Sequence, residues 1–395
     1  MARGVKVRLN NADLLRWARE SAGYGLEEMA AYLGKPVDAV RAWEEGRDSP
    51  TYSQLRDFAH RVHRPVAALF LPDVPEEPPL PEDFRMLPGE TPGGFSPKAR
   101  LAFRGLRNSM GQLRTIVDDL DEALELSLPT WPTSNLRSIV ARATDLRLAL
   151  GITVEGQTGW RDEYEALNAW RAALFERGVL VQVFPVPVDD VRAFSLLEYR
   201  LGGVGISAQD APPARIFSLF HEVAHLCLRK PGVSGEVVET RGAGQSQVAR
   251  LERYCDAFSA AFLLPHDHAA VRAAMEEVAR DFSMGTATRR AGRFQVSKYV
   301  IARRMLDLGL VDRDHYWSEI RAWREQDARK AVAKPTSSEG GPNPVVVALS
   351  RAGRRYAETV MEAVDRGVLT AYEAGKLLSL SPDRLEDVHA LVLTE

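Results

Sequence analysis

The densest concentration of chemistry in the chain is the stretch His221-Glu222-Val223-Ala224-His225. On a helix, residues four apart share a face, one turn from each other. The spacing therefore sends two imidazoles to the same side, close enough to share one cation. Glu222 can then reach a water on that cation without being a ligand. This is the set a zinc-assisted hydrolase needs: the metal acidifies water and polarises a carbonyl, and the glutamate takes the proton. A motif this short also arises by chance, so its surroundings matter. Ile216, Phe217, Leu219, Phe220, Val223, Ala224 and Leu226 make the helix nearly all apolar, and a buried helix must give its polar side chains partners. A catalytic zinc wants a third protein ligand and an open fourth position. Downstream, Glu252 and Asp256 lie four apart on another predicted helix. Glu252 could complete the metal set, and Asp256 could accept a hydrogen bond from the outer ring nitrogen of His221 or His225. A solvated acidic pair would read the same way.

Several elements must position these residues. Residues 10–71 show four short amphipathic patterns, closed at Gly34 and Gly46, which predict a helical bundle. From Pro65 to Pro97 prolines alternate with acidic residues, as in an extended linker. A long helix is expected from Pro97 to about Leu126, then helices near 135–150 and 160–177. Val179–Phe184 is a β-prone run, followed by Ala193–Tyr199 and Val204–Ser207, so a sheet of about three strands is expected. Pro212-Pro213 opens the helix that carries the histidines. Further helices are expected near 246–264, 265–280, 295–309 and 313–328. Residues 330–344 read as a second linker, and 345–395 as a small helical module.

Bulk properties narrow the class. The 395 residues are 45% hydrophobic and 27% charged, with a net charge of -3, and the mean hydropathy is -0.22. Such a chain is globular, and no whole-chain field draws it to nucleic acid or membrane. Two cysteines, Cys227 and Cys255, fit a reducing compartment better than a disulfide scaffold, and both read as small core residues. The N-terminus does not pattern as a signal peptide, and no apolar run would span a bilayer, so a cytoplasmic location is expected.

The two motif regions carry a resemblance. Phe217 to Leu226, and Glu252-Arg253-Tyr254-Cys255-Asp256 running on through Phe258, Ala260 and Ala261 to Leu264-Pro265, resemble the ImmA/IrrE family of zinc metallopeptidases. Phe294 to Ser297, Ala302 to Met305 and Leu308 to Leu310 resemble that family's terminal helices, so the likeness spans about 175–320. It implies zinc held by His221, His225 and Glu252, with Glu222 as general base. Asp256 falls where the family usually has Asn. The resemblance also implies an extended substrate paired along a sheet edge, for which Leu201–Ser207 is the candidate. The oxyanion stabiliser is open among Tyr254, His266, His268 and Tyr299.

Residues 12–71 resemble the Xre/Cro-like helix-turn-helix family, on Leu26 to Ala30, Leu33-Gly34, Val40, Trp43-Glu44, Gly46, Pro50-Thr51 and Leu55. There the third helix, about 36–45, would enter the major groove. Its opening residues, Pro36, Val37, Asp38 and Ala39, read bases and phosphates poorly, leaving Lys35, Arg41 and Arg47 as contacts. Residues 1–71 hold eleven Lys/Arg against nine Asp/Glu, so the field is weak. A protein-interaction or dimerisation module is the rival reading.

The expected fold is mainly α with a small antiparallel sheet, α+β in class. Its domains are a helix-turn-helix at 1–71, a Pro-rich linker at 72–97, a metallopeptidase domain at 98–329, a linker at 330–344 and a helical module at 345–395. The function these resemblances imply is a zinc endopeptidase and transcription regulator that cleaves or controls a regulatory protein, such as a repressor, in a stress or mobile-element response. The alternative is a DNA-binding regulator or antitoxin whose peptidase fold senses or binds a partner. Expected partners are a protein substrate, or a cognate regulator or toxin encoded nearby. Operator DNA and a second copy in a homodimer complete the list, with no membrane.

Overall fold

The computed structural model describes residues 5–83, 94–134, 136, 138–234, 247–332 and 343–393. Contacts divide the chain into two units, residues 1–80 with 91–105, and residues 81–90 with 106–395. The chain crosses between them within the Pro-rich stretch, after residues 80 and 90, and again inside a helix, after residue 105.

The first unit holds α1 (Asp13–Ser21), α2 (Leu26–Leu33), α3 (Val37–Glu44) and α4 (Tyr52–Arg61), and helix α5 (Pro97–Asp119) as far as residue 105. Local chemistry sets the ends. Glu28 accepts from the Gly25 N–H at 2.9 Å at the start of α2. Gly34 ends it in the left-handed region at φ 61°. Thr51 and Gln54 form a reciprocal cap on α4. Leu15, Ala18, Met29, Val40, Trp43, Leu55, Phe58 and Val62 form the core. Arg19 of α1 meets both oxygens of Glu44 of α3, at 2.7 and 2.8 Å, a buried two-point pair that fixes one helix against the other.

The second unit is built on a mixed five-stranded sheet. Its strands are β1 (Glu82–Asp83), β2 (Val179–Phe184), β3 (Ala193–Glu198), β4 (Leu201–Ser207) and β5 (Gly232–Ser234), in the order β1-β5-β3-β4-β2. β3 and β4 form a hairpin that turns on Tyr199 and Arg200, at φ 54° and 61°, the geometry a two-residue turn requires. β2 then pairs with β4 in parallel, from Val179 opposite Gly202 to Phe184 opposite Ser207. The α+β class holds, but the sheet is not purely antiparallel. Alternating patterns mark strands without stating their neighbours. Two expectations change with this topology. Leu201–Ser207 is paired on both sides and fully buried, so it is not an edge. Glu82 and Asp83, read as linker, form a strand parallel to Gly232 and Val233.

Glycines let helices approach β4 on both faces. A side chain at Gly203 would sit 2.3 Å from Met110 Sδ of α5, and one at Gly202 would sit 3.1 Å from Leu226 Cδ1 on α9 (Pro212–Cys227). Around this core lie α6 (Ile139–Leu150), α7 (Val154–Gly159), α8 (Glu163–Phe175), α10 (Gln247–Leu263), α11 (Ala269–Arg280), α12 (Met284–Arg293), α13 (Lys298–Asp307) and α14 (Arg313–Val332). The helix expected over 295–309 is preceded by a separate α12, because Ser283 and Ser297 each cap a new helix start.

The C-terminal helices α15 (Pro344–Ala352), α16 (Arg354–Asp365), α17 (Ala371–Leu378) and α18 (Leu385–Leu393) cluster with this unit rather than standing apart. α15 packs along β2, the outer strand. Buried Arg171 of α8 donates to Val181 O at 2.8 Å, Ser350 O at 2.8 Å and Arg351 O at 3.1 Å, joining that edge to the end of α15. The second expected linker falls largely outside the described residues. Among the described residues no helix is long and apolar enough to cross a membrane.

Candidate metal centre

α9 opens on Pro212 and Pro213, where a missing N–H costs no helical hydrogen bond. Ile216, Leu219, Phe220, Val223, Ala224 and Leu226 bury it in the main core, and His221, Glu222 and His225 go inside with them. α10 packs beside it. The end of α10 is buried too, so its last carbonyls need donors. Arg147 supplies Phe262 O at 2.8 Å, Gln157 supplies Leu263 O at 3.2 Å, and Arg304 supplies Leu264 O at 3.0 Å. These three side chains hold α10 in place along its axis and so place Glu252 and Asp256.

The two imidazoles meet at Nε2–Nε2, 3.2 Å apart. Glu252 closes a triangle, with Oε2 at 3.2 Å from His221 Nε2 and Oε1 at 3.0 Å from His225 Nε2. Donors bound tetrahedrally at zinc distances lie about 3.3 Å from one another. The three donors therefore already stand at the separations one small cation imposes. Their outer nitrogens are spoken for. His225 Nδ1–H donates to Lys230 O at 3.0 Å, and a carbonyl can only accept, so in the neutral imidazole the lone pair falls on Nε2. His221 Nδ1 donates to Asp256 Oδ1 at 2.9 Å. This is the arrangement that orients imidazole ligands.

Cys255 adds a softer donor nearby: its sulfur and one nitrogen of each histidine lie within 4.8 Å of one another. That grouping is looser than the one through Glu252. Burial pushes the thiols of Cys227 and Cys255 up, which keeps them protonated. For His221, burial lowers the pKa, but the charges of Glu252 and Asp256 outweigh it and raise it well above 6.5. Burial raises Glu252, but His221 and His225 outweigh it and bring it to about 2. A proton on this pair and a cation in the triangle are alternatives.

Several participants escaped the sequence reading. Ser195 of β3 donates from Oγ to Glu222 Oε2 at 2.7 Å, and Gly232 N–H donates to the same Oγ at 3.4 Å. The signal for Ser195 was a lone hydroxyl inside the apolar run Ala193 to Leu197. Lys230 acts through its carbonyl, which no residue type announces. Arg303 of α13 donates to Asp256 Oδ2 at 3.2 Å. Three of the residues considered for oxyanion stabilisation are engaged elsewhere. Tyr254 accepts from Arg142 at 2.8 Å, Tyr299 donates to Asp327 at 2.7 Å, and His268 meets Glu155 at 2.7 Å. His266 is half-buried.

In the first unit, Lys35 is half-buried just before α3. Arg41 pairs with Asp38 at 3.0 Å, and Arg47 Nε pairs with Glu45 at 2.6 Å. Two of the three expected DNA contacts thus have their charge offset locally.

Fold and donor set together describe a metallopeptidase-like α+β domain in a chain that also carries a helix-turn-helix bundle. The comparisons give the particular families: residues 176–306 match a peptidase family described as the IrrE N-terminal-like domain, and residues 15–65 match the helix-turn-helix family. No curated protein matches the chain. A solved Mycobacterium tuberculosis transcriptional regulator is similar at 16% identity and a TM-score of 0.28, over 50% of this chain and 51% of that one. The match thus spans about half the regulator's length, and so loose a superposition carries no weight here.

Proposed function

We propose that the chain is a zinc-dependent endopeptidase that acts on a regulatory protein. The observation that carries the reading is the triangle of His221 Nε2, His225 Nε2 and the Glu252 carboxylate, with sides of 3.0 to 3.2 Å. The peptidase-family match over 176–306 supports it. Zinc, when bound there, would acidify a water and polarise the scissile carbonyl. The protein's own residues do the rest. Lys230 O and Asp256 hold the imidazoles with Nε2 toward the donor triangle. Ser195 holds one oxygen of Glu222, so the carboxylate keeps a fixed orientation for taking a proton. The substrate is sought among repressors and other regulators encoded beside the gene.

The test combines metal analysis of the purified protein with incubation against the neighbouring gene product. The parent is expected to carry about one zinc and to cut that protein. Glu222→Gln should keep the metal and lose cleavage by at least about a hundredfold. Cleavage by that variant at the parent rate would exclude Glu222 as the base.

A second reading is favoured by the helix-turn-helix match over 15–65. In it the chain is a transcription regulator or antitoxin, and the peptidase fold binds a partner without turnover. Glu222→Gln would then regulate as the parent does.

A further inference from the structure

We infer that Arg303 is a positioning residue for the metal centre, acting through Asp256 on His221. The inference rests on the reading of His221, His225 and Glu252 as metal donors.

Asp256 is held at both oxygens. Oδ1 accepts from His221 Nδ1 at 2.9 Å, and Oδ2 accepts from Arg303 Nη1 at 3.2 Å. Arg303 is steadied in turn, since its Nε donates to Asp307 Oδ1 at 3.0 Å, one turn along α13. His221, Asp256, Arg303 and Asp307 thus form a line of hydrogen bonds from α9 through α10 to α13. The side chains of Asp256 and Arg303 are only 19% and 20% exposed.

This line explains why a carboxylate can stand at position 256. A neutral amide there would accept the imidazole N–H without bringing charge. An aspartate brings a poorly solvated negative charge that must be compensated. Arg303 provides the compensation from a separate helix, and its contact with Oδ2 sets the rotation that aims Oδ1 at the ring. Without the guanidinium, the carboxylate would turn toward solvent or toward other donors, and the orientation of His221 would loosen. Partners of this kind typically change metal affinity by about 10- to 100-fold.

The test is a double-mutant cycle read by metal affinity. Zn2+ affinity is measured by competition with a chromogenic chelator, and site symmetry by the visible spectrum of the Co2+-loaded protein. Arg303→Met, which keeps the apolar stem, should weaken Zn2+ binding roughly 10-fold or more and alter the Co2+ spectrum. Arg303→Lys should fall between the two. In an Asp256→Asn background the Arg303→Met substitution should cost little, because the charge it served is gone. If Arg303→Met does not fold, the cycle is run with Arg303→Lys, whose loss must likewise vanish in the Asp256→Asn background. Equal losses in both backgrounds would overturn the inference and leave Arg303 a support of the fold alone. So would a parent and Arg303→Met variant of equal affinity. A parent that binds no Zn2+ or Co2+ would remove the metal reading itself.

Discussion

His221 and Glu252 hold each other in opposite charge states when no cation lies between them, and the sign of the pH effect follows. His221 is raised well above its ordinary 6.5. Its contribution to stability is fully present below about pH 6.5 and is lost as pH rises through the folded value. Glu252 is brought from 4.5 to about 2. Its contribution is present above about pH 4.5 and is lost as pH falls toward 2. Chelator-treated protein should therefore draw most stability from this pair between about pH 4.5 and 6.5. On the proposed reading zinc would compete with the proton, so its affinity should rise with pH above that window. Calorimetric Tm from pH 5 to 9, with and without chelator, compared with Glu252→Gln, isolates the pair. A chelated parent whose Tm advantage over that variant grows from pH 6 to 8 would contradict the coupling.

At the scale of elements, the site depends on how α10 is held against α9. The buried end of α10 has its carbonyls met by Arg147, Gln157 and Arg304, not by a following glycine. Burial draws the Arg147 guanidinium down to about 10, yet it stays cationic at neutral pH and faces the negative end of the helix dipole. Arg147→Met should strip a donor from Phe262 O and destabilise the protein by about 1–3 kcal/mol. The urea midpoint measures this. Because Glu252 lies on the same helix, Zn2+ affinity should weaken as well. Unchanged stability would mean that water replaces the guanidinium there.

At the scale of the whole molecule, the sheet treats its two ends differently. β2 is covered by α15 and tied to it through Arg171. On the other side, among the described residues, the outer neighbour of β5 is the two-residue β1. The helix-turn-helix bundle presents a further question, because its candidate contacts are sparse. If Lys35, Arg41 and Arg47 each touch a phosphate, log affinity for duplex DNA should fall with log salt with a slope of roughly 2.7. Lys35→Ala should reduce that slope by about 1. Fluorescence anisotropy with the chain's own promoter region measures both. Binding that persists unchanged in a Lys35→Ala, Arg41→Ala double variant would rule out docking through α3.

What was legible in the sequence was local. His221, Glu222 and His225 lie within one turn of one helix, and Glu252 and Asp256 within one turn of another, so spacing alone shows which share a face. The bundle at the N-terminus was legible for the same reason, through Gly34 and short amphipathic runs. Everything that joins separate elements was decided by tertiary packing. Glu252 reaches His221 across 31 residues of sequence. Ser195, the Lys230 carbonyl and Arg303 reach the site from β3, a loop and α13. β4 became central because β2 took its outer side in parallel, and a strand's own pattern does not name its neighbour. The sequence alone thus determined which residues could hold a cation. The packing of α9 against α10 decided that three of them meet within 3.2 Å, because only the tertiary fold sets the distance between faces of different helices.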